Sequence, residues 1–424
     1  MNPLRVAVVG AGWAGIAAAV HASKAGHAIE VFEMAPQPGG RARTVQVASH
    51  ALDNGQHILI GAYQATLELM QEVGANTATL LRRLPLALQY PDGQGLALRP
   101  GAPVPAFVRA VLRRRGWRWR DRLALLAAAS RWAAMRFRCA ESVNVSELCK
   151  GLPVAVQAQL IEPLCVAALN TSAAQASGAV FLRVLHDALF SGPGSSDLLL
   201  PAAPLGALLP QPAAVWFERH GVRLHTTARV AELQPMGAGW LLDGQRFDAV
   251  VLACSASEAA RLCKQVAPEW AHQAATLRYE PIVTVYLSCA GARLALPMVA
   301  LHAGAIAPAQ FAFDLGALGG PTGVFAFVVS GAREWVDRGL EATASATLVQ
   351  ALAAFPPGTW PAPPVVLHVA AEKRATFRCT PGLQRPAAAI AERLWAAGDY
   401  VAGPYPATLE GAVRAGRDAA LGLA

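Results

Sequence analysis

The sequence predicts an α/β protein of two domains, and three observations lead to that prediction. A chain of 424 residues is long for one hydrophobic core, because the usual prior is one domain for about 150 residues. A β-branched run at residues 4–9, an alanine-rich helical pattern at 13–25 and a strand pattern at 28–33 follow in the order of a parallel βαβ unit. Strand patterns return after residue 220. We therefore expect the first domain to be discontinuous in sequence.

The composition excludes several classes of protein. Hydrophobic residues make up 54% of the chain and charged residues only 15%, which is too apolar for a disordered protein. The seven cysteines are scattered and form no C-x-x-C pair, so we expect free thiols, a reducing cytoplasm and no metal site. The longest apolar run, residues 6–20, is too short for a membrane span, and we expect neither a transmembrane helix nor secretion.

Patterns along the chain place the remaining elements. Residues 67–137 read as helical, with an interruption rich in proline and glycine at 91–105. Strands are predicted next in the returning part of the first domain, and a second sheet after that. The chain ends in a strand leading to Gly398 and a closing helix. The predicted strands after residue 220 are 222–226, 230–233, 240–242 and 247–253, followed by 282–287, 324–329 and 365–370.

The turn after the first strand carries a glycine fingerprint. Gly10, Gly12 and Gly15 have the G-x-G-x-x-G spacing, and Glu33 ends the next strand. Gly10 allows the tight turn, Gly12 lets a diphosphate approach the backbone, and Gly15 lets the helix pack on the strand. The helix N-terminus then faces the diphosphate, and Glu33 is placed to bind a ribose. This arrangement predicts a Rossmann-like dinucleotide site.

A second loop distinguishes the kind of dinucleotide. Gly39, Gly40, Arg41 and Arg43 follow Glu33 closely, and two glycines with two guanidinium groups suit another contact to the same anionic cofactor. The alternative is a solvated arginine pair on a turn. The spacing resembles the flavoprotein superfamily that includes monoamine oxidases, protoporphyrinogen oxidases and carotenoid desaturases. That resemblance implies FAD as the cofactor and a discontinuous FAD-binding domain.

Two later segments resemble the same superfamily. Val230, which we expect to open a strand, is where such proteins place a main-chain contact to adenine. Gly398 and Asp399, followed by Thr408 and Leu409, resemble its C-terminal motif. The resemblance implies that Asp399 contacts the ribityl or diphosphate region and that the helix N-terminus near Thr408 faces the flavin pyrimidine edge, where its positive end stabilises reduced flavin.

The stretch 53–63 is close to the G-x-H-x-x-x-G-x-Y segment of phytoene-type desaturases, which runs beside the flavin ring. It contains Gly55 and His57. The resemblance implies isoprenoid chemistry and makes Gly55 and His57 candidate cofactor contacts. His57 is either a proton-handling residue, a flavin-positioning residue or a structural histidine. Asp53 is placed to orient it.

Three further segments, at 162–171, 196–201 and 405–412, resemble the squalene-associated FAD-dependent desaturase family, whose bacterial members act as hydroxysqualene dehydroxylases. The resemblance implies a reductive reaction in squalene and hopanoid synthesis, in which an allylic hydroxyl leaves as water. Asp197 is the candidate acid, because desolvation beside three leucines favours a protonated carboxyl; the alternative is a helix cap. Glu162 is either a second acid or a buried structural carboxylate. The alanines after Pro201 depart from the charged residue expected there.

The domain boundaries and one basic segment complete the prediction. We expect an FAD-binding domain from 1–75, 205–265 and 375–424, and a mixed-sheet and helical substrate domain from 76–204 and 266–374. Between residues 109 and 138 lie ten arginines and one acid, a net charge of +9 against +8 for the whole chain. With its tryptophans and phenylalanines, the segment 107–138 predicts an interfacial element that docks on an anionic membrane surface.

Other interpretations stay open. The basic segment is alternatively a solvated helix in an arginine-rich composition, and nucleic-acid binding is disfavoured because no recognised module accompanies it. We expect the protein in the cytoplasm, peripheral on the inner face of the membrane, with a linear isoprenoid such as hydroxysqualene as substrate. A carotenoid or polyprenoid desaturase running the flavin oxidatively, and a non-catalytic membrane-associated flavoprotein, are the alternatives.

Overall fold

The computed structural model describes residues 2–47 and 50–423. Its strands and helices are numbered separately in chain order. The strands are β1 (Arg5–Val9), β2 (Ala28–Phe32), β3 (Thr44–Val47), β4 (His50–Asp53), β5 (Leu59–Ile60), β6 (Leu81–Leu84), β7 (Ala87–Gln89), β8 (Gly95–Ala97), β9 (Leu198–Pro201), β10 (Arg223–His225), β11 (Leu233–Met236), β12 (Gly239–Leu242), β13 (Gln245–Phe247), β14 (Ala249–Leu252), β15 (Tyr279–Ser288), β16 (Met298–Ala300), β17 (Phe311–Asp314), β18 (Val324–Val329), β19 (Val365–Phe377), β20 (Ala389–Ala391) and β21 (Leu394–Ala396).

The helices alternate with these strands and are mostly short. They are α1 (Trp13–Lys24), α2 (Gln64–Glu72), α3 (Thr77–Leu80), α4 (Pro103–Arg113), α5 (Trp119–Ala134), α6 (Val145–Leu148), α7 (Val154–Val156), α8 (Glu162–Leu169), α9 (Gly178–Phe190), α10 (Leu205–Leu208), α11 (Pro210–Arg219), α12 (Ala256–Cys263), α13 (Pro268–Ala275), α14 (Arg333–Arg338), α15 (Leu340–Ala354) and α16 (Leu409–Leu421). A π-helical turn at Gln157–Ile161 joins α7 to α8, and a 3-10 turn covers Gly316–Leu318.

The first sheet has six strands in the order β10-β2-β1-β14-β21-β20, parallel except for β20. Its central strands β1 and β14 are buried apart from Arg5 at the start of β1, as expected for a parallel sheet covered on both faces. The alanine-rich α1 covers one face with α16, and the approach is close: a Cβ on Gly416 would lie 2.1 Å from the carbonyl oxygen of Ala14. Segments from the beginning, middle and end of the chain therefore build one sheet.

The second large sheet is antiparallel, in the order β16-β17-β18-β15-β19. Its strand β18 is buried along its whole length. One face packs into an apolar cluster with α4, α5, α8 and α9, and the other packs on α15. This sheet and these helices form the second half of the molecule. The predicted α/β class, with a Rossmann-like parallel sheet and a second half of sheet and helices, is what the structure has; the large sheet of the second half is antiparallel where a mixed sheet was expected.

Two local predictions are wrong. Residues 81–84 and 87–89 are not helical but form β6 and β7, because β6 pairs with the distant β9 and β7 pairs with β8, which lies in the predicted interruption. Val230 does not open a strand; it lies in a loop, and the next two amides donate to the Asp243 carboxylate instead of to a neighbouring strand. Both errors arise from partners distant in sequence or from side chains that compete for backbone groups.

The basic segment forms α4 and α5, and burial sorts its side chains. Trp117 and Trp132 are buried in the core, although the composition predicted them at an interface, while Trp119 is exposed. Among the described residues, none of the helices combines the length and apolar character that a membrane crossing requires.

Candidate functional site

A cavity of about 630 Å³ opens at the carboxyl ends of the central parallel strands. Val9 ends β1, Phe32 ends β2, and Ala253 directly follows β14. All three residues line the cavity. Crevices at this edge of a doubly wound sheet are where such folds bind ligands. The sheet therefore presents one large concave site built from several separate segments.

Two glycine loops form the floor of the cavity. Gly10 has a φ of +106° and backs directly onto β14, because a Cβ there would lie 2.7 Å from the carbonyl oxygen of Ala253. Gly12 and Gly39 are paired as an isolated parallel bridge, and a Cβ on Gly40 would lie 3.2 Å from the Cα of Gly12. Side chains at these positions would fill the space in which a ligand can approach the backbone.

Gly15 lies outside the lining of the cavity, in the first turns of α1. A Cβ there would lie 1.8 Å from the carbonyl oxygen of Gly10. Its place agrees with a packing role, in which the helix approaches the preceding turn closely.

The N-terminus of α1 is available for an anion. Its N-cap, Gly12, offers no side chain to bond the first amides, and no acid stands in the first turn. These unsatisfied N–H groups and the positive end of the helix dipole favour a negatively charged group in front of Trp13.

The predicted arginines stand beside the same cavity. Arg41 pairs with Asp399 at 2.5 Å and also donates to the carbonyl oxygen of Ala375 at 2.7 Å. Arg43 donates to the carbonyl oxygen of Gly40 at 3.2 Å. Both line the cavity, and although the Arg41 side chain is 40% exposed, its bonds hold it at the cavity. The Arg41–Asp399 pair joins an N-terminal and a C-terminal cavity-lining segment, residues 39–43 and 398–400.

Glu33 occupies the end of β2 and is buried. Its carboxylate accepts hydrogen bonds from the amides of Ala11 at 2.7 Å and Ala35 at 2.8 Å. It thus holds the glycine turn in place, and the carboxylate oxygens have further lone pairs on the cavity side.

The C-terminal motif also converges on the cavity, which is lined by Gly398, Asp399, Thr408 and Leu409. Thr408 caps α16, with its hydroxyl accepting from the amide of Gly411 at 2.9 Å. The N-terminus of this thirteen-residue helix therefore faces the site. Val230 lines the cavity as well, from its loop position.

His57 and Gly55 form the side of the cavity that meets the second sheet. The Nδ1 of His57 lies 2.8 Å from the carbonyl oxygen of Gly55, so this nitrogen carries the hydrogen and donates it. Burial lowers the pKa of His57, and nearby Arg41 lowers it further against the opposing hydrogen bond. The imidazole is therefore neutral near pH 7, with Nε2 as an acceptor.

Asp53 does not orient His57. Its Oδ1 accepts instead from the Leu205 amide at 2.9 Å and the Thr44 hydroxyl at 3.0 Å. Burial raises the pKa of Asp53 to about 6, and these two bonds only partly oppose that rise. The histidine is held by its own loop, and Asp53 joins β4 to α10.

Asp197 and Glu162 lie outside the cavity lining. Asp197 pairs with Arg83 at 3.2 Å and does not cap a helix, while Glu162 accepts from the amide of Ala173 at 3.1 Å. Burial raises the pKa of Glu162, opposed by that hydrogen bond. The structure thus brings the predicted cofactor residues together around one space, with Gly15 behind it, and keeps both candidate acids away from it.

Several lining residues escaped the sequence analysis. Arg229 precedes Val230, and Arg374 lies in β19, where it donates to the Ser257 hydroxyl at 2.7 Å. Tyr279, Tyr400 and Cys254 also line the cavity, and burial raises the pKa of each. Arg229 carries a weak signal in its position beside Val230. Tyr400 carries the same kind of signal, because it directly follows Asp399, while Tyr279, Cys254 and Arg374 lie in or beside strands whose contact with the site depends on sheet topology.

The cavity fits a dinucleotide with an anionic centre. It combines the glycine floor, the uncapped N-terminus of α1 and four arginines in its lining, Arg41, Arg43, Arg229 and Arg374. The Tyr400 hydroxyl is buried without a hydrogen-bond partner in the described part of the chain, and a buried polar group of this kind calls for one. Residues 2–47 and 50–423 hold no cluster of three or more histidine, cysteine, aspartate or glutamate side chains arranged for a metal.

Comparison with known proteins gives a consistent result. Residues 13–422 match the family described as flavin containing amine oxidoreductase. The chain is 27% identical to hydroxysqualene dehydroxylase of Sinorhizobium fredii over 99% of this chain and 98% of that protein. It is also 27% identical to the hydroxysqualene dehydroxylase of Rhodopseudomonas palustris, over 98% and 97% respectively. A zeta-carotene desaturase of Zea mays is 34% identical over only 19% of this chain and 14% of its own.

Among solved structures, an oxidoreductase from Methanosarcina mazei superposes with a TM-score of 0.77 at 16% identity, covering 98% of this chain and 99% of the other. Cyclohexylamine oxidase from Brevibacterium oxydans superposes with a TM-score of 0.66 at 16% identity, covering 100% and 99%. At these identities the likeness concerns the fold, and it confirms the predicted fold class.

Proposed function

The chain belongs to the flavin-containing amine oxidoreductase family, with FAD as its cofactor, and from that premise we propose that it removes the allylic hydroxyl of hydroxysqualene reductively to give squalene. The end-to-end match with two hydroxysqualene dehydroxylases carries this proposal. The match with a zeta-carotene desaturase covers less than a fifth of the chain. The reaction would place the protein in squalene and hopanoid synthesis.

The proposed reaction breaks one carbon–oxygen bond and forms one carbon–hydrogen bond. Reduced FAD supplies the hydride when bound. The hydroxyl leaves with a proton as water, so alcohol and reduced flavin give hydrocarbon, water and oxidised flavin. The chain must therefore bind the cofactor, deliver one proton and keep other water from an allylic cation.

The cavity residues supply binding and orientation. The amides at the N-terminus of α1, with Arg41 and Arg43, would hold the diphosphate. The N-terminus of α16 at Thr408 would face the ring end of the cofactor and favour negative charge there. Asp399 would act through its pair with Arg41 and through its own place in the lining.

The hydrogen bonding and neutral state of His57 favour a positioning role over a role as proton donor. As a neutral imidazole with Nδ1–H bound to Gly55, it presents an acceptor and no spare proton. It would accept a hydrogen bond from the leaving water or from the cofactor. Asp197, the acid proposed from the sequence, would need its pair with Arg83 to open before it reached the cavity.

A second candidate is an oxidative polyprenoid desaturase. It is favoured by the local match with a zeta-carotene desaturase. The apolar interior of the second half of the molecule would suit an isoprenoid whether the flavin is oxidised or reduced in the reaction. A non-catalytic flavoprotein is the weaker alternative, because the residues predicted to contact the cofactor, apart from Gly15, line one cavity.

The test is a single turnover without oxygen. The purified FAD-bound protein would be reduced chemically, mixed with hydroxysqualene, and followed by flavin absorbance and by chromatography of squalene. Squalene formed in equal amount to reoxidised flavin supports the proposal. A folded yellow protein that gives no squalene contradicts it, and flavin reduction by a phytoene-like polyene would then support the desaturase.

The Asp197→Asn variant tests the acid in the same assay. A single-turnover rate equal to that of the unmodified protein, at equal FAD content, would exclude Asp197 as the proton donor.

Peripheral attachment to the inner face of the membrane belongs to the same proposal, and the exposed face of α4 and α5 supports it.

A further inference from the structure

Helices α4 and α5 present apolar side chains to solvent in a regular pattern. Val104, Val108 and Leu112 are spaced by four along α4, and each is 37% exposed. Trp119 and Leu123, also spaced by four, are 64% and 58% exposed on α5. This spacing puts each set on one side of its helix. We name these five residues, with the exposed arginines of residues 109–138, the α4–α5 face.

The charge of the α4–α5 face has one sign. Eight of the ten arginines at residues 109–138 are exposed and belong to the face. The single acid of this segment, Asp121, is buried and accepts from the Arg118 amide at 2.9 Å as part of the α5 cap. The segment has no exposed carboxylate, and its one carboxylate partner is the buried Asp121, 3.9 Å from the Arg120 guanidinium, so the exposed arginines keep a large net positive charge. The exposed arginines are Arg109, Arg113, Arg115, Arg118, Arg120, Arg131, Arg136 and Arg138.

Arg122 connects the exposed apolar side chains of α4 to those of α5. The Arg122 guanidinium donates to the carbonyl oxygens of Leu112 at 2.8 Å and Arg114 at 2.7 Å, and it lies 4.9 Å from the centre of the Trp119 ring. The end of α4 and the start of α5 therefore meet at one cation.

The helix pair is also fixed to the core. Trp117 donates to the Gln159 side chain at 2.9 Å, and the buried Arg114 donates to the same oxygen at 3.3 Å. Gln159 belongs to the π-helical turn before α8. The turn between α4 and α5 is thus locked beneath the exposed stripe, and its geometry does not depend on a partner.

We propose that the α4–α5 face docks on an anionic lipid bilayer as a preformed unit. The exposed arginines contact lipid headgroups, and Leu112, Trp119 and their neighbours enter the interface. The occupant follows from charge complementarity combined with aliphatic and indole exposure on one face. The inference rests on the proposed function in one respect: a substrate of thirty carbons partitions into lipid, and docking gives the enzyme access to it.

Preformation distinguishes this surface from a segment that folds on membrane contact. Both helices are already formed and packed, and α5 is capped by Asp121, so binding requires no new helix. Far-ultraviolet circular dichroism of the holoprotein should therefore stay unchanged when vesicles are added, even as the protein binds them.

Flotation of the FAD-bound full chain with vesicles tests the proposal. We expect binding to vesicles of phosphatidylcholine mixed with phosphatidylglycerol, weakened by salt, and little binding to phosphatidylcholine alone. Arg109→Gln with Arg113→Gln should lower the partition coefficient about 25-fold, at about fivefold for each arginine near an anionic surface. Val108→Ser with Leu112→Ser should lower it about tenfold or more by removing apolar burial.

Matched controls use other exposed surfaces. Arg219→Gln with Arg246→Gln removes two exposed arginines elsewhere, and Val349→Ser with Leu352→Ser removes two exposed aliphatics from α15. Both controls should bind vesicles like the unmodified protein. Equal losses in controls and test variants would overturn the inference, as would flotation that ignores lipid charge or a gain of helix on binding.

Other occupants are separate outcomes. Concentration-dependent dimerisation in buffer that the Val108 and Leu112 changes abolish, without an effect on flotation, would assign the face to a second copy of the chain. Binding to duplex DNA that the arginine changes abolish, again without an effect on flotation, would assign it to nucleic acid. Either result overturns the lipid proposal.

The two proposals fail separately. Single turnover with detergent-dispersed hydroxysqualene does not require a bilayer. Turnover without flotation would contradict the docking surface alone, and flotation without turnover would contradict the proposed reaction alone.

Discussion

The glycine loops of the cavity and the α4–α5 face are both prominent in the sequence, but they use it differently. In the loops the backbone itself is the functional surface, and a Cβ at Gly10 or Gly40 would meet neighbouring backbone within 3.2 Å. On the α4–α5 face the function depends on which side chains point outward. Trp117 is buried, whereas Trp119, two residues later, is exposed. A motif therefore predicts a backbone site more sharply than composition predicts a surface.

The largest expected effect comes from filling the glycine contact. Gly15→Ala would place a Cβ 1.8 Å from the carbonyl oxygen of Gly10, so α1 must shift away from the turn. We expect destabilisation of about 3 kcal/mol or more, together with loss of bound FAD. Thermal unfolding and the ratio of flavin to polypeptide measure both.

The matched control is Gly151→Ala, where an added Cβ meets nothing within 4 Å. It should stay within about 0.5 kcal/mol of the unmodified protein. If Gly15→Ala kept full flavin content and stability, the backbone explanation of the fingerprint would be wrong.

The tryptophans of the basic segment test the opposite side of the comparison. Trp117→Ala should cost about 3–5 kcal/mol, because it empties a core position and leaves Gln159 without the indole donor. Trp119→Ala should change stability by about 0.5 kcal/mol or less, as at other exposed sites. Urea unfolding of both variants gives the difference. Equal losses of unfolding free energy would mean that Trp117 is not buried, or Trp119 not exposed, as the structure has them.

The sequence predicted the fold best where elements follow local patterns. Residues 4–33 combine a strand run, alanine periodicity and positioned glycines, and they form β1, α1 and β2 almost as expected. Residues 81–84 were mispredicted because β6 pairs with β9, more than a hundred residues later. An apolar stretch with a distant strand partner carries no local sign of it.

The same distinction applies to the site. Glu33 and Arg41 were found because their distance from the glycines is short and characteristic. Arg374 was missed because only the topology of β19 brings it to the cavity, whereas Tyr400 directly follows the predicted Asp399 and was overlooked. Asp197 was chosen for its leucine neighbours, yet its partner Arg83 lies in another strand. Charge pairing over long sequence distances is what the sequence alone does not show.

A third prediction concerns the junction beneath the loops. Asp53→Asn keeps the Oδ1 acceptor for Leu205 and Thr44 but removes the charge. Burial raises the folded-state pKa to about 6 from 3.8, so the unmodified protein loses stability relative to the variant as pH rises from about 4 to 6. Above that range the variant should be more stable by up to about 3 kcal/mol.

Unfolding free energies of both proteins at several pH values between about 4 and 8 check this sign. Other buried groups, such as His57, titrate in both proteins and largely cancel in the difference. Parallel curves would show that Asp53 is not desolvated in solution.

The smallest expected effect comes from the ion pair that closes the cavity. Arg41→Met leaves the buried Asp399 carboxylate without its guanidinium. Because Arg41 itself is 40% exposed, solvent reduces the cost, and we expect about 1–2 kcal/mol. Lys24→Met removes an exposed pair with Glu72 and should cost about 0.5 kcal/mol or less.

Urea unfolding of the two FAD-free variants separates two explanations of how the cavity holds its shape. A larger loss of unfolding free energy for Arg41→Met would mean that a side-chain pair between residues 358 positions apart helps to hold the loops around Arg41 and Asp399 together. Equal losses would mean that the strand ladder alone positions them. In that case Arg41 would serve the cofactor only, and its replacement would weaken FAD binding while leaving the empty cavity as stable as before.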